Sequence, residues 1–429
     1  MNKKLLIISP HLPPLNAADM QRIRMSLPYF KAFGWDAEIV TIDPAYSEIV
    51  RDELLLQSIP PGTRIHYVKA LSKSWTSKIG LGSLALRSLK FYRKKVSRLL
   101  KENQFDLVYF STTQFPVLIL GAYWKKHFGI PYVIDMQDPW HSDYYRDKPR
   151  NQRPKKYWFS YRLNKYLEPI AMRHAGGLIS VSENYIDDLK AKYPEMKDIP
   201  AATITFGAFE PDLQIANDNL KLFKPLLDKH SISLVYIGRG GTDMHNSVSK
   251  LFKALKRGLD EQPGIFKKLK AYFIGTSYAP AGQARQTILP LAQDFGISEN
   301  VVEITDRISY YHTLATLLQA DALFIPGSDD PKYTASKIYP YLLIHKPLLA
   351  IFNPHSPAIG VLQEYGLKDI YGYGPSAETD SRIFQFLKQL AEGKAAAGWL
   401  NPEAEKKYSA ENMARRQCEL FDEVLNGKN

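Results

Sequence analysis

Short apolar runs rich in Val, Ile, Leu, Phe and Tyr recur along the chain, each followed by a stretch with helical spacing. This alternation constrains the fold more than any other feature. The runs at 5–9, 37–42, 64–68, 107–111, 132–135 and 177–181, and then at 233–237, 271–274, 302–305, 322–325 and 348–352, read as strands. Strands that alternate with helices are joined by right-handed crossovers, which makes their sheets parallel and covers both faces. Two such series imply two Rossmann-like α/β domains. At 429 residues the chain exceeds one ordinary core and suits two domains of about 200 residues. The break falls in the polar, turn-rich stretch between Phe206 and Asp228. The expected division is therefore 1–207, 208–401 and a terminal helix in 402–429 that packs back toward the first domain.

Composition narrows the class of protein. Apolar residues at 45% and charged residues at 23% describe a folded globular chain. The single cysteine, Cys418, excludes an internal disulfide framework and a cysteine-based zinc site. The opening MNKKLLIISPHLPP has only about five apolar residues before a Pro-rich turn, too few for a signal peptide, and reads as a buried first strand. No run approaches the ~20 apolar residues of a membrane span, so the expected location is cytoplasmic. The formal net charge of +12 suits phosphorylated ligands, an anionic membrane surface or nucleic acid. No nucleic-acid-binding module accompanies it, and no nucleic-acid partner is expected.

In open parallel sheets, ligands bind beyond the carboxyl ends of the strands, so the residues directly after each strand are the candidates. After the first strand, Asn16-Ala17-Ala18-Asp19 leads into a helix bearing Arg22 and Arg24. Asn16 or Asp19 can cap that helix, and the small residues would equally let an anionic ligand reach its amides. No G-x-G-x-x-G occurs, which argues against a standard NAD enzyme. After the fifth strand come Asp135, Asp138, Trp140 and His141. Asp138, fixed in direction by the proline that follows, is the leading catalytic candidate. In the second half, Gly238-Arg239-Gly240-Gly241 forms a candidate phosphate cradle, with Gly275 ending the next strand. The segment 327–354 adds the acidic pair Asp329-Asp330, then Ser336-Lys337 at a helix start, where amides, dipole and ammonium together suit a pyrophosphate.

Taken in order, these segments resemble family 4 of the retaining GT-B glycosyltransferases. Ser336-Lys337-Ile338-Tyr339-Pro340-Tyr341 with Lys346-Pro347 resembles the donor-binding signature, and Tyr236-Ile237-Gly238-Arg239 the opening of the second domain. Asp135-Met136-Gln137-Asp138-Pro139-Trp140, Glu168 with Ser180-Val181-Ser182, and Phe206-Gly207-Ala208-Phe209-Glu210 resemble further stretches of members. The chain departs from the family at two places. Lys332 and Pro340 stand where members carry paired glutamates, and Met244-His245 stands where they carry a lysine. Because proline is tolerated only in a helix's first turn, the helix here is expected to start late, near Tyr339.

The resemblance implies a GT-B architecture, two Rossmann-like domains facing across an interdomain cleft. It implies transfer of a sugar, with retention, from a nucleotide-sugar donor bound by the second domain. The acceptor, on the first domain, would be a glycan or lipid-linked precursor of cell-envelope polysaccharide. Arg239 and Lys337 would stabilise the leaving diphosphate, and Asp138 would orient the acceptor or the developing positive charge. Gly238, Gly240, His245, Gly275, Asp329, Asp330, Ser336 and Tyr339 would line the donor site, with Asn16, Arg22, Asp135, Trp140 and His141 on the acceptor side. No catalytic metal and no cofactor are expected, since Asp329-Asp330 is not an Asp-x-Asp motif. Two basic stretches, 84–101 with seven Lys/Arg and 146–165 with eight, interleave with aromatics and suit peripheral contact with an anionic membrane. The competing readings are a non-catalytic GT-B-like binding protein and a sugar-nucleotide epimerase or phosphorylase of the same architecture.

Overall fold

The computed structural model describes residues 2–427 except 77–81, 144, 147, 154–156, 280–282, 332–336 and 399–400. The chain forms two compact units, Met1–Gly207 with Ala410–Asn429, and Ala208–Ser409.

The first unit is built on seven parallel strands, β1 (Lys3–Ile8), β2 (Trp35–Ile42), β3 (Arg64–Val68), β4 (Leu107–Ser111), β5 (Tyr132–Met136), β6 (Gly177–Ser180) and β7 (Ala201–Thr203). Their order is β3-β2-β1-β4-β5-β6-β7, so the winding reverses between β1 and β4. The central strands β4 and β5 are buried at every position, which is why they read as unbroken apolar runs rather than as alternating ones. β1 pairs β4 with Ile8 opposite Phe110, so the loops leaving both strands emerge side by side. The terminal helix Ala410–Asn426 docks on this unit through Phe421, which lies edge-on to Trp35 at 5.5 Å and 4.9 Å from Tyr109. Aromatic pairs of this kind contribute about 0.5–1.5 kcal/mol each beyond the area they bury. Cys418, on the same helix, is buried.

The second unit carries six parallel strands, β8 (Ile232–Ile237), β9 (Leu269–Ile274), β10 (Val301–Ile304), β11 (Ala322–Pro326), β12 (Leu348–Phe352) and β13 (Ile370–Gly372). Their order is β10-β9-β8-β11-β12-β13, with the reversal between β8 and β11. The short helix Pro402–Lys407 stays with this unit, where Ala404 joins the core and Tyr408 stacks on Tyr365. All eleven strands expected from the apolar runs are present, with ends displaced by at most two residues. The two strands without such a signal, β7 and β13, are three-residue edge strands whose side chains are only half-buried.

Candidate functional site

The residues after β8 and β11, at the reversal of the second sheet, come together. Arg239 leaves β8 and donates to both oxygens of Asp243, at 3.0 and 2.6 Å. The Asp243 carboxyl is held below its usual range, first by Arg239 and then by the Ser328 hydroxyl, which donates to it at 2.7 Å. The amide of Asp329 donates to the Asp243 carbonyl, tying the β11 loop to the β8 loop. Lys337 reaches the same place. Its Nζ lies 3.1 Å from the Tyr236 hydroxyl and over that ring. Burial first, then the charges of Arg239 and Arg307, pushes its ammonium down to about 8.

Gly238 has to be glycine for this arrangement, because a Cβ there would come within 1.9 Å of Lys337 Nζ. A Cβ on Gly240 would come within 2.9 Å of Thr276, and Gly275 turns the chain after β9 with φ 73°. Asp329 accepts from Asn246 at the edge of the group, and the amide of Asp330 donates to the Ser328 hydroxyl. Ser336 lies outside the described residues. The helix that follows starts at Ile338, which puts Pro340 in its first turn, where its missing N–H costs nothing.

Two expected donor-side residues point elsewhere. His245 opens the helix His245–Glu261, and its Nε2 lies 3.0 Å from the Thr287 carbonyl, a bond to backbone rather than an open donor. Tyr339 is buried against Tyr408 in the core. Two contributors escaped the sequence reading, Asp243 and Arg307, and a third, Tyr341, was read there only as part of the signature. Asp243 lacks any motif, Arg307 comes from the loop after β10, and Tyr341 holds the end of β8 through bonds to Ile237 N and O.

At the reversal of the first sheet the chemistry differs. Arg22 and Asp135 are completely buried and pair at 3.0 Å, with Arg22 also donating to the carbonyls of Ile204 and Thr205. Ser111 and Gln137 donate to Asp135 as well. A pair with no exposed surface braces β5 against the β7 loop and offers nothing to an acceptor. Neither Asn16 nor Asp19 caps the following helix. Asp19 instead turns inward, bonding His11 Nδ1 at 2.9 Å and the hydroxyls of Thr112 and Thr113. Burial alone would raise the Asp19 carboxyl, but the bonds from His11, Thr113 and Thr112 hold it below its usual range. His11 was not among the expected residues, although it follows β1 directly.

Asp138 stands exposed at the end of β5. The structure around it still removes enough water to raise its carboxyl, and the charge of Asp19 adds to the rise. Trp140 is a packed plug, stacked on Phe115 at 5.6 Å. His141 leans on Tyr161, its amide donating to Glu168 at 2.8 Å. Burial and then Lys192 push its imidazole down. Glu168 also receives Lys192 and the Tyr193 hydroxyl, so it organises the loop after β5. Asn16 is half-buried, its amide bonded to the Val50 carbonyl. Among the described residues, no group of three or more His, Cys, Asp or Glu is placed to hold a metal ion.

Residues 21–202 match the family described as Glycosyl transferase 4-like domain, which lies wholly within the first unit. The whole chain is similar to a sucrose-phosphate synthase from Thermosynechococcus elongatus, with a TM-score of 0.55 and 13% identity over 99% of this chain and 100% of the other. It is similar to an E. coli trehalose-6-phosphate protein solved with UDP-2-fluoro glucose, with a TM-score of 0.53 and 11% identity over 98% and 99%. A UDP-GlcNAc 2-epimerase from Neisseria meningitidis bound to UDP-GlcNAc gives a TM-score of 0.51 and 13% identity over all of both chains. The fold is GT-B. No curated protein matches the sequence significantly. At these identities the similar GT-B structures establish the architecture alone, and the chemistry has to come from this chain's own residues.

Proposed function

We propose that this GT-B protein transfers a sugar from a nucleotide-sugar donor to a glycan or lipid-linked acceptor in cell-envelope polysaccharide assembly, with retention at the anomeric carbon. The observation that carries the reading is the gathering of Arg239, Arg307 and Lys337 at the reversal of the second sheet. Among the described residues no carboxylate faces Lys337, so its ammonium is held against its own desolvation and two like charges. A diphosphate would relieve that repulsion. As the anomeric carbon–oxygen bond breaks, the electron pair leaves with the nucleotide diphosphate, and Arg239 and Lys337 would bear the growing charge without a metal. Asp138, on the first unit, would orient the acceptor or face the positive charge on the sugar.

A thermal-shift panel of nucleoside diphosphates and nucleotide sugars, with and without magnesium, tests this. A ligand bound only by the folded state raises the melting temperature by mass action. One nucleotide should do so, and the shift should vanish in Arg239→Ala and Lys337→Ala. No shift with any nucleotide would favour a GT-B protein that only binds a glycan or partner. The epimerase reading, which a similar structure brings forward, requires turnover without an acceptor, whereas the transferase requires one. The anomeric configuration of the product tests retention.

A second surface supports a membrane setting for the acceptor. A groove of about 990 Å³ on the first unit is lined by Lys125, Lys126, Lys165 and Arg173 beside Tyr123 and Tyr166. Tyr123 also borders a second groove of about 720 Å³, which carries Lys90, Arg93, Lys94 and Arg98 of the helix Leu84–Glu102. Lys165 of the second basic stretch and the helix of the first thus border grooves that share Tyr123, with Trp158 65% and Tyr166 72% exposed. No helix among the described residues is long and apolar enough to cross a membrane. We assign this face to peripheral contact with anionic lipid. Vesicles containing anionic lipid should retain the protein at low salt and release it at high salt; equal binding to neutral vesicles would overturn the assignment.

A further inference from the structure

The surroundings of Lys337 suit a chemistry that donor binding alone does not use. Its Nζ lies 3.1 Å from the Tyr236 hydroxyl and 4.8 Å from the centre of that ring. The Tyr236 proton is directed to the Arg239 carbonyl at 2.9 Å, so the phenol oxygen accepts from Lys337. Arg239, from the loop after β8, and Arg307, from the loop after β10, both act on the amine with like charge. Asp243, the acid of the group, is taken by both terminal nitrogens of Arg239 and by the Ser328 hydroxyl. Gly238 keeps the backbone beside Nζ bare, since a Cβ there would lie 1.9 Å from it.

Other lysines in semi-buried places are committed elsewhere. Lys192 is paired with Glu168 and Lys250 with Asp380. Lys346 is desolvated too, but its ammonium donates to the Ala320 carbonyl and feels the opposite charge of Asp321. Among the described residues, no carboxylate pairs with Lys337.

An amine is a nucleophile only without its proton, and desolvation beside other cations is what removes that proton near neutral pH. Burial, then Arg239 and Arg307, push the Lys337 ammonium down to about 8. At that pH roughly a hundredfold more of it is free amine than of an ordinary lysine. The same two guanidiniums suit a phosphate group. An acyl phosphate needs both features, because its phosphate is at once the handle that docks it and the group that leaves.

We propose that Lys337 is a modification site, at which an acyl phosphate seats its phosphate on Arg239 and Arg307 and passes its acyl group to Nζ. The proposal rests on the diphosphate reading of this cluster and names a means of regulating it. The free amine attacks the acyl carbon, and a carbon–nitrogen bond forms. The bond from that carbon to the phosphate oxygen breaks. Its electron pair leaves on inorganic phosphate, which also takes the proton shed by the nitrogen. Amine and acyl phosphate thus become amide and hydrogen phosphate, with nothing else consumed. The amide N–H keeps a donor for Tyr236, while the charge offered to a diphosphate is gone. Acylation therefore closes the donor site and leaves the fold in place.

The test treats the full chain with acetyl phosphate from pH 7 to 10 and follows individual lysines by peptide mass spectrometry. At pH 8, Lys337 should be acetylated at least tenfold faster than Lys394, whose side chain is 71% exposed. At subsaturating acetyl phosphate the Lys337 rate should be half-maximal near pH 8, the profile of the free amine. Inorganic pyrophosphate, which competes for the two arginines, should slow Lys337 at least fivefold and leave Lys394 unchanged. Arg307→Gln, at an exposed position, should slow Lys337 by a similar factor. It weakens the phosphate seat and lets the amine regain its proton, and both effects act in the same direction. Acetylated protein should bind nucleoside diphosphate about a hundredfold more weakly, with its unliganded melting temperature unchanged.

Equal rates at Lys337 and Lys394, no protection by pyrophosphate, or undiminished nucleotide affinity after acetylation would each overturn the proposal. Nucleotide shifts on the untreated chain report the donor reading separately. A shift without preference at Lys337 sinks the modification alone. Preference at Lys337 without any nucleotide shift supports the modification and sinks the donor reading.

Discussion

The two sheet reversals of this GT-B chain are topologically alike and chemically opposite. In each, a strand pair diverges and the loops beyond it meet, β1 with β4 in the first unit and β8 with β11 in the second. In the first reversal the two buried carboxylates are saturated. Asp19 and Asp135 are each surrounded by donors, and Arg22 is matched by a carboxylate. The second is left out of balance, with Arg239, Arg307 and Lys337 close together and, among the described residues, Asp243 paired with Arg239. One topology therefore provides a rigid frame in one unit and a reserve of positive charge in the other. What separates them is whether the charges after the strands are paired within the protein or await a ligand.

The largest test of that contrast is at the saturated reversal. Arg22→Met leaves Asp135 buried and unpaired, and should cost about 3–5 kcal/mol in chemical denaturation. A loss under 1 kcal/mol would show that the pair is no brace. At the unbalanced reversal, Lys337→Ala should weaken nucleoside diphosphate binding about a hundredfold while leaving stability unchanged or higher, since it removes a desolvated charge. If both fall together, Lys337 is structural and the contrast fails.

The lowered Lys337 ammonium makes a pH test with two signs. Its pKa is about 8 when folded against 10.5 ordinarily. Between these values the unfolded chain holds a proton that the folded one has released, so folding stability from this group rises with pH across 8 to 10.5. Diphosphate binding needs the proton, so affinity should fall up to about tenfold per pH unit above 8. Isothermal titration at pH 7 and 9 reads the second sign, and melting without ligand over the same range reads the first. The smallest effect is at Asp243. Asp243→Asn frees Arg239 from its partly exposed partner and should tighten nucleotide binding about threefold. Weaker binding would mean that Asp243 positions Arg239 instead of competing for it.

Much of the second reversal was legible because each of its contributors carries a local signal of its own. Gly238-Arg239-Gly240 directly follows a strand, and Lys337 stands at a helix start. The first reversal was read less well. Arg22 and Asp135 are 113 positions apart, and nothing in the spacing says that they meet in the interior instead of facing a ligand. His11 was passed over because a lone histidine in a Pro-rich loop carries no signal until Asp19, Thr112 and Thr113 are brought against it. Asp19 read as a helix cap because a short acid before a helix usually is one, and here a buried imidazole outbid the amides. His245 was assigned to phosphate by position, but the Thr287 carbonyl lies beside it in the fold.

The sequence alone determined the two parallel-sheet units, nearly all of their strands and the loops where ligands belong. Those follow from the period of apolar residues and from the rule that ligands gather beyond strand ends, both local properties. Only the tertiary structure decided which charges in those loops are spent on each other and which stay open. Pairing depends on side chains that meet across more than a hundred positions, and burial sets whether such a pair is a brace or a site.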